Sequence, residues 1–187
     1  MSFDLAAALR RIKAGRMSGA LARRHVDDLP FVPDQIEAGP ELMLDTSVYI
    51  DNLQGRVPRN VEDLLIARIS NHSAICLAEL THLFGRLDPH HPETPSALRE
   101  LRGVIEDDIP HHRLTAPSTR AFGEAGMLAG LTIRLTGRSK DQALLNDALL
   151  YLHALERGCV VLTRNLADFD MFHQLVPTGH VLFYRQA

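Results

Sequence analysis

Short continuous apolar runs alternate along the chain with stretches in which apolar residues recur at helical spacing, and that alternation predicts the architecture. Leu42 to Leu44, Ala74 to Leu77 and Val160 to Thr163 read as buried strands, with Arg113 to Ala116 weaker and Val181 to Tyr184 closing the set. Between them, Asn60 to Ser70 carries Val61, Leu64, Leu65 and Ile69 on one helical side, and further helices are expected at 78 to 87 and about 95 to 107. Residues 118 to 136 form a long helix that Gly137 terminates. Lys140 to Arg157 has the broadest stripe, Leu144, Leu145, Ala148, Leu149, Leu152 and Leu155, and Gly158 stops it. Strands separated by helices make a mostly parallel five-stranded sheet with helices on its faces.

The pattern ahead of the first strand is different. Leu5, Leu9, Ile12 and Leu21 keep a helical spacing that Gly15 and Gly19 interrupt, so a helical arm in two pieces is expected. Asp27 to Pro40 then holds three prolines and four acids without apolar periodicity, the composition of a linker. The chain divides accordingly into an arm and linker, residues 1–40, and a domain, residues 41–187. A length of 187 residues, 45% hydrophobic, suits one core with an appendage.

Charge and composition narrow the function. No apolar stretch approaches the roughly 20 residues of a membrane span, and Arg10, Arg11 and Lys13 interrupt the early apolar run, so no membrane association and a cytoplasmic location are expected. Cys76 and Cys159 lie in apolar, strand-like runs without metal-ligand spacing and read as buried thiols. A net charge of -3 excludes a generally basic coat. The exception is the arm, where Arg10, Arg11, Lys13, Arg16, Arg23 and Arg24 face only Asp4. That cluster either tracks RNA phosphates or is a helix face, solvated or packed across the domain or a dimer mate. His90, His91, His111 and His112 sit beside proline-rich turns and read as exposed loop residues. P-loop, nucleophile-elbow, dinucleotide and zinc motifs are lacking.

In an open parallel sheet, ligands bind beyond the carboxyl ends of the strands, so polar residues at strand exits are the candidates. Asp45 follows the first strand and precedes Thr46 and Ser47, where an acid serves either as a helix cap or as a ligand. Glu79 stands in the apolar segment Leu77-Ala78-Glu79-Leu80 and needs a cation or donor if buried. Asp147 interrupts the strongest helix with a poor helix former. After the fourth strand, Thr163, Asn165 and Asp168 offer oxygens suited to a hard cation, and spacing does not choose between the last two.

In this order, Leu-Asp45-Thr-Ser-Val-Tyr-Ile, Glu79, Asn146-Asp147-Ala-Leu-Leu and Leu-Thr163-Arg-Asn165-Leu-Ala-Asp168-Phe resemble the PIN-domain family, and within it the VapC-type toxins. The resemblance spans about residues 42 to 185. It implies a three-layer α/β/α sandwich, a Mg²⁺ or Mn²⁺ site, and endonucleolytic cleavage of RNA. It also implies a cognate antitoxin and a homodimer. The family's three acids map to Asp45, Glu79 and Asp147, and its hydroxyl residue to Thr163. Its fourth acidic position falls on Asn165, a departure that lowers the charge of the site, with Asp168 as a substitute. Ser47 and Thr163 are expected to orient the carboxylates, and Arg164, beside the last motif, to join the arm cations in contacting RNA. The alternative that Asn165 motivates is a binding module with a decayed site that holds RNA or an antitoxin.

Overall fold

The computed structural model describes residues 3–138 and 142–187. The expected helix start at Lys140, with Asp141, lies outside the described residues. After an amino-terminal helix α1 (Leu5–Ile12) the order is β1 (Leu42–Leu44), α2 (Thr46–Leu53), α3 (Arg59–Ala67), β2 (Ser70–Ser73), α4 (Ala74–Arg86) and α5 (Thr94–Gly103). It continues with β3 (Leu114–Thr115), α6 (Thr119–Thr136), α7 (Gln142–Arg157), β4 (Val160–Thr163), α8 (Leu166–Leu175) and β5 (His180–Phe183).

The five strands form one parallel sheet in the order β3-β2-β1-β4-β5. From β1 the chain winds outward through β2 and β3, then returns across the sheet to β4 and β5. Crossovers between parallel strands are almost always right-handed, so winding in opposite directions puts helices on opposite faces; α4 touches α2 and α5, while α6, α7 and α8 pack together, and α4 also reaches α7. The strand order reverses between β1 and β4, whose register pairs Leu42 with Val160 and Leu44 with Leu162. Both strands are buried along their whole length, which is why they are continuous apolar runs. Tyr151, Phe169 and Phe172 close the core between α7 and α8.

The second strand departs from expectation. The apolar run Ala74 to Leu77 is the first turn of α4, started by Ser73, whose hydroxyl accepts from Ile75 N at 3.2 Å. Cys76 is therefore a helical residue. The polar sequence Ser-Asn-His-Ser before it forms β2. Each of its three buried side chains has partners: Asn71 donates to Glu41 at 2.8 Å, His72 meets the Tyr49 hydroxyl at 2.6 Å, and Ser73 meets His153 at 3.0 Å. Among the described residues no buried side-chain nitrogen or oxygen lacks a partner.

The arm and linker lie against the domain. Ala8 and Ile12 are buried where α1 meets α6, and Leu21 N donates to Leu135 O at 2.9 Å. Phe31 forms a parallel bridge to Phe183, with Val32 N donating to Phe183 O at 2.8 Å and Phe183 N to Pro30 O at 2.8 Å. The prolines flank a single bridge at the sheet edge, where a missing donor is tolerated, and Leu29 and Val32 join the core. Among the described residues no helix is long and apolar enough to cross a membrane. His90, His91, His111 and His112 are exposed.

Candidate active site

Asp45 leaves β1 at the point where the strand order reverses, its own N–H donating to Leu162 O of β4 at 3.1 Å. It occupies the cap position of α2 without capping it. Its carboxylate instead accepts from the Ser47 hydroxyl at 2.5 Å and the Thr163 hydroxyl at 2.7 Å. Burial pushes the Asp45 carboxyl up; the two hydroxyls oppose that, and Glu79 adds repulsion.

Glu79 projects from the second turn of α4, which touches α7. It accepts from the Thr46 hydroxyl at 2.5 Å and from the Asn146 amide at 2.8 Å. Asp147 follows Asn146 on α7 and accepts from Asn165 Nδ2 at 2.9 Å. Burial, followed by repulsion from Asp45, Asp168 and Glu79, pushes Asp147 up to about 9. The acids thus act on one another electrostatically although they come from four elements.

Asn165 caps α8, its amide oxygen accepting from Asp168 N at 3.2 Å and its backbone N–H donating to the Thr163 hydroxyl at 2.9 Å. Its amide nitrogen bridges Asp147 and Asp168, at 2.9 and 3.0 Å. The residue links two acids. Asp168 is further paired with Arg138. Among the described residues, no three His, Cys, Asp or Glu side chains are grouped so as to hold a metal ion.

Hydrogen bonds therefore link Asp45, Ser47, Thr163, Asn165, Asp147 and Asp168 in one network, and Glu79 stands beside it, held by Thr46 and Asn146 and repelling Asp45 and Asp147. The cations expected at RNA do not gather there as a set. Arg11 pairs with Glu124, and Arg24 grips Asp170 through Nε at 2.7 Å. Arg164 Nε pairs with Asp51 at 2.8 Å. Arg10, Lys13, Arg16 and Arg23 are exposed on the arm. Sequence reasoning named Thr46 only as a neighbour of Asp45, whereas it serves Glu79; it missed Asn146 and Arg138, and Asn146, one residue before an expected ligand, was the nearer of these to a signal.

The same fold occurs in solved toxin–antitoxin complexes. VapBC2 of Rickettsia felis bound to a promoter DNA fragment matches with a TM-score of 0.55 at 16% identity, covering 77% of this chain and 98% of that one. DNA-bound VapBC of Salmonella typhimurium matches at 0.52 with 26% identity, covering 76% and 97%. VapBC-5 of Mycobacterium tuberculosis matches at 0.52 with 20% identity, covering 78% and 100%. The chain has the PIN-domain fold of VapC-type toxins. No family model matches the sequence, and a search of curated proteins finds no relative. About a quarter of this PIN-fold chain has no counterpart in those neighbours, which are covered almost completely.

The oxygen donors of Asp45, Glu79 and Asp147 are of the type a hard divalent cation prefers. Mg²⁺ takes one or two carboxylates and keeps several waters, so the absence of a three-ligand group among the described residues does not conflict with an ion held by two carboxylates.

Proposed function

We propose that this chain is a Mg²⁺- or Mn²⁺-dependent endoribonuclease and the toxin of a toxin–antitoxin pair. The observation that supports the reading is the hydrogen-bonded line from Asp45 through Thr163 and Asn165 to Asp147, with Glu79 held beside it by Thr46 and Asn146, at the crevice where the strand order reverses and open α/β sheets bind ligands. Asp45 and Asp147 would hold the cation. When bound, the cation supplies positive charge to the phosphodiester and favours ionisation of the attacking water.

The chain's own residues prepare the site. The Thr163 and Ser47 hydroxyls fix the Asp45 rotamer, and Thr46 and Asn146 hold Glu79 between α2 and α7, where it orients a water and accepts its proton. Cleavage leaves a 5'-phosphate and a 3'-hydroxyl. Asp45→Asn, assayed with Mn²⁺ on a structured RNA, is expected to abolish cleavage with the fold intact; cleavage at the wild-type rate refutes the reading.

The neighbours were solved as toxin–antitoxin complexes, and we extend the proposal to a cognate antitoxin and a homodimer in the cytoplasm. Co-purification with the antitoxin and sedimentation of the free chain check the two associations. A second reading, a module that binds RNA or antitoxin without cutting, is favoured by Asn165 and by the pairing of Asp168 with Arg138. Calorimetry separates the two: a folded chain that takes up no Mn²⁺ is a binding module.

A further inference from the structure

Arg138 is the one described guanidinium paired with an acid of the site network. Gly137 ends α6 in the left-handed conformation, φ 69°, which a side chain would strain, and the next residue is Arg138. Its guanidinium, 40% exposed, pairs with Asp168, whose side chain is 11% exposed. Asp168 is tied through the Asn165 amide to Asp147, so a single line of contacts runs from the arginine to the expected cation ligand.

We propose that Arg138 is a resident cation for the Asp168 and Asn165 corner, so that the site takes one divalent ion, at Asp45 and Asp147, and no second. The inference rests on the metal-site reading above and concerns how many ions the site holds. The chemistry is direct. A guanidinium keeps its charge throughout the pH range of any assay. Here it neutralises Asp168, one of the two acids that the Asn165 amide bridges. A second ion would have to displace it and bind a corner whose amide nitrogen faces the acids. An arginine in that place also repels the first ion, since a unit charge acts on a divalent one across a partly water-excluded space. Arg138 is thus a positioning residue that sets the charge of the site.

The test is a calorimetric titration of Mn²⁺ into the full chain without RNA. The wild type is expected to bind one ion. Arg138→Gln is expected to bind a second, or to bind the first about tenfold more tightly. Arg138→Lys, which keeps the charge, should restore the wild-type isotherm. Two ions in the wild type, or an Arg138→Gln isotherm that matches it in stoichiometry and affinity, overturns the inference. Equal urea midpoints for the metal-free proteins control for folding, and Arg138→Lys provides a second variant should the glutamine disturb the loop. If neither wild type nor variant binds Mn²⁺, the metal reading and this inference fall together. If Mn²⁺ binding changes as stated while RNA stays uncut, the inference stands and the nuclease reading falls.

Discussion

Replacing Asp147 with asparagine should stabilise the metal-free protein at neutral pH, although it removes an expected ligand. In the folded chain, burial and the neighbouring Asp45, Asp168 and Glu79 raise this carboxyl from 3.8 to about 9. The group therefore holds its proton when folded and gives it up when unfolded. Its contribution is fully favourable below about pH 4 and is lost as the pH rises toward 9. Each pH unit above the unfolded value costs about 1.4 kcal/mol, reaching roughly 4 kcal/mol at pH 7. Asp147 is only half-buried, and solvent on its open side reduces the expected effect to about 2 kcal/mol. Asparagine has the same shape, carries no charge, and can still accept the Asn165 hydrogen bond. In EDTA at pH 7 the urea midpoint of Asp147→Asn should exceed that of the wild type, and the difference should vanish near pH 4. Saturating Mn²⁺ should reverse the order, because only the wild type gains the full binding energy. A variant that is less stable in EDTA at pH 7, or a gap that persists at pH 4, refutes the electrostatic account.

Two predictions test the acids outside the site. Asp51 is fully buried and accepts from the Tyr184 hydroxyl at 2.8 Å and Gln186 Nε2 at 2.6 Å while pairing with Arg164. Asp51→Ala strands these donors and should cost about 3–5 kcal/mol in urea denaturation, with Asp51→Asn milder because it keeps an acceptor. Arg24 donates both its backbone N–H and its Nε to Asp170, at 2.9 and 2.7 Å, and Asp170 is fully buried. Arg24→Ala should cost about 3 kcal/mol and open the arm to limited proteolysis ahead of residue 26; unchanged cleavage and stability would show that α1 and the Leu21–Leu135 hydrogen bond hold the arm without the ion pair.

The scaffold was legible where its sequence pattern was local. The strands β1 and β4 coincide with the apolar runs because both faces of a central parallel strand are buried, and Gly137 marked the end of α6. The strand β2 was not legible. Its polar side chains are buried against Tyr49, Glu41 and His153, the last 80 positions away, so hydrophobicity pointed to the helix that follows. The site divides in the same way. Asp45 and Thr163 could be found as strand exits, but Thr46 and Asn146 reach Glu79 across 33 and 67 positions. The arm arginines looked like one charged face, and two of them are ion-paired to acids of α6 and α8. A signal existed for the second: Asp170 interrupts Phe169 and Met171-Phe172, and an acid in an apolar run demands a cation.

That demand separates the structural acids from the candidate catalytic ones. Among the described residues, the buried acids Asp51, Glu124 and Asp170 each face an arginine, so their charge is cancelled within the fold. Asp45, Glu79 and Asp147 face hydroxyls and amides, which satisfy their lone pairs without supplying a positive charge. Neutral donors orient a carboxylate without competing with a cation for it, as an arginine would. The fold therefore leaves acids without a cationic partner at the crevice between β1 and β4, where Asp147 keeps its proton in the metal-free chain and burial pushes Asp45 the same way. Asp168 lies at the boundary: it belongs to the site network through Asn165 and to the structural class through Arg138. Whichever of those two contacts governs it decides how much positive charge the crevice can still accept.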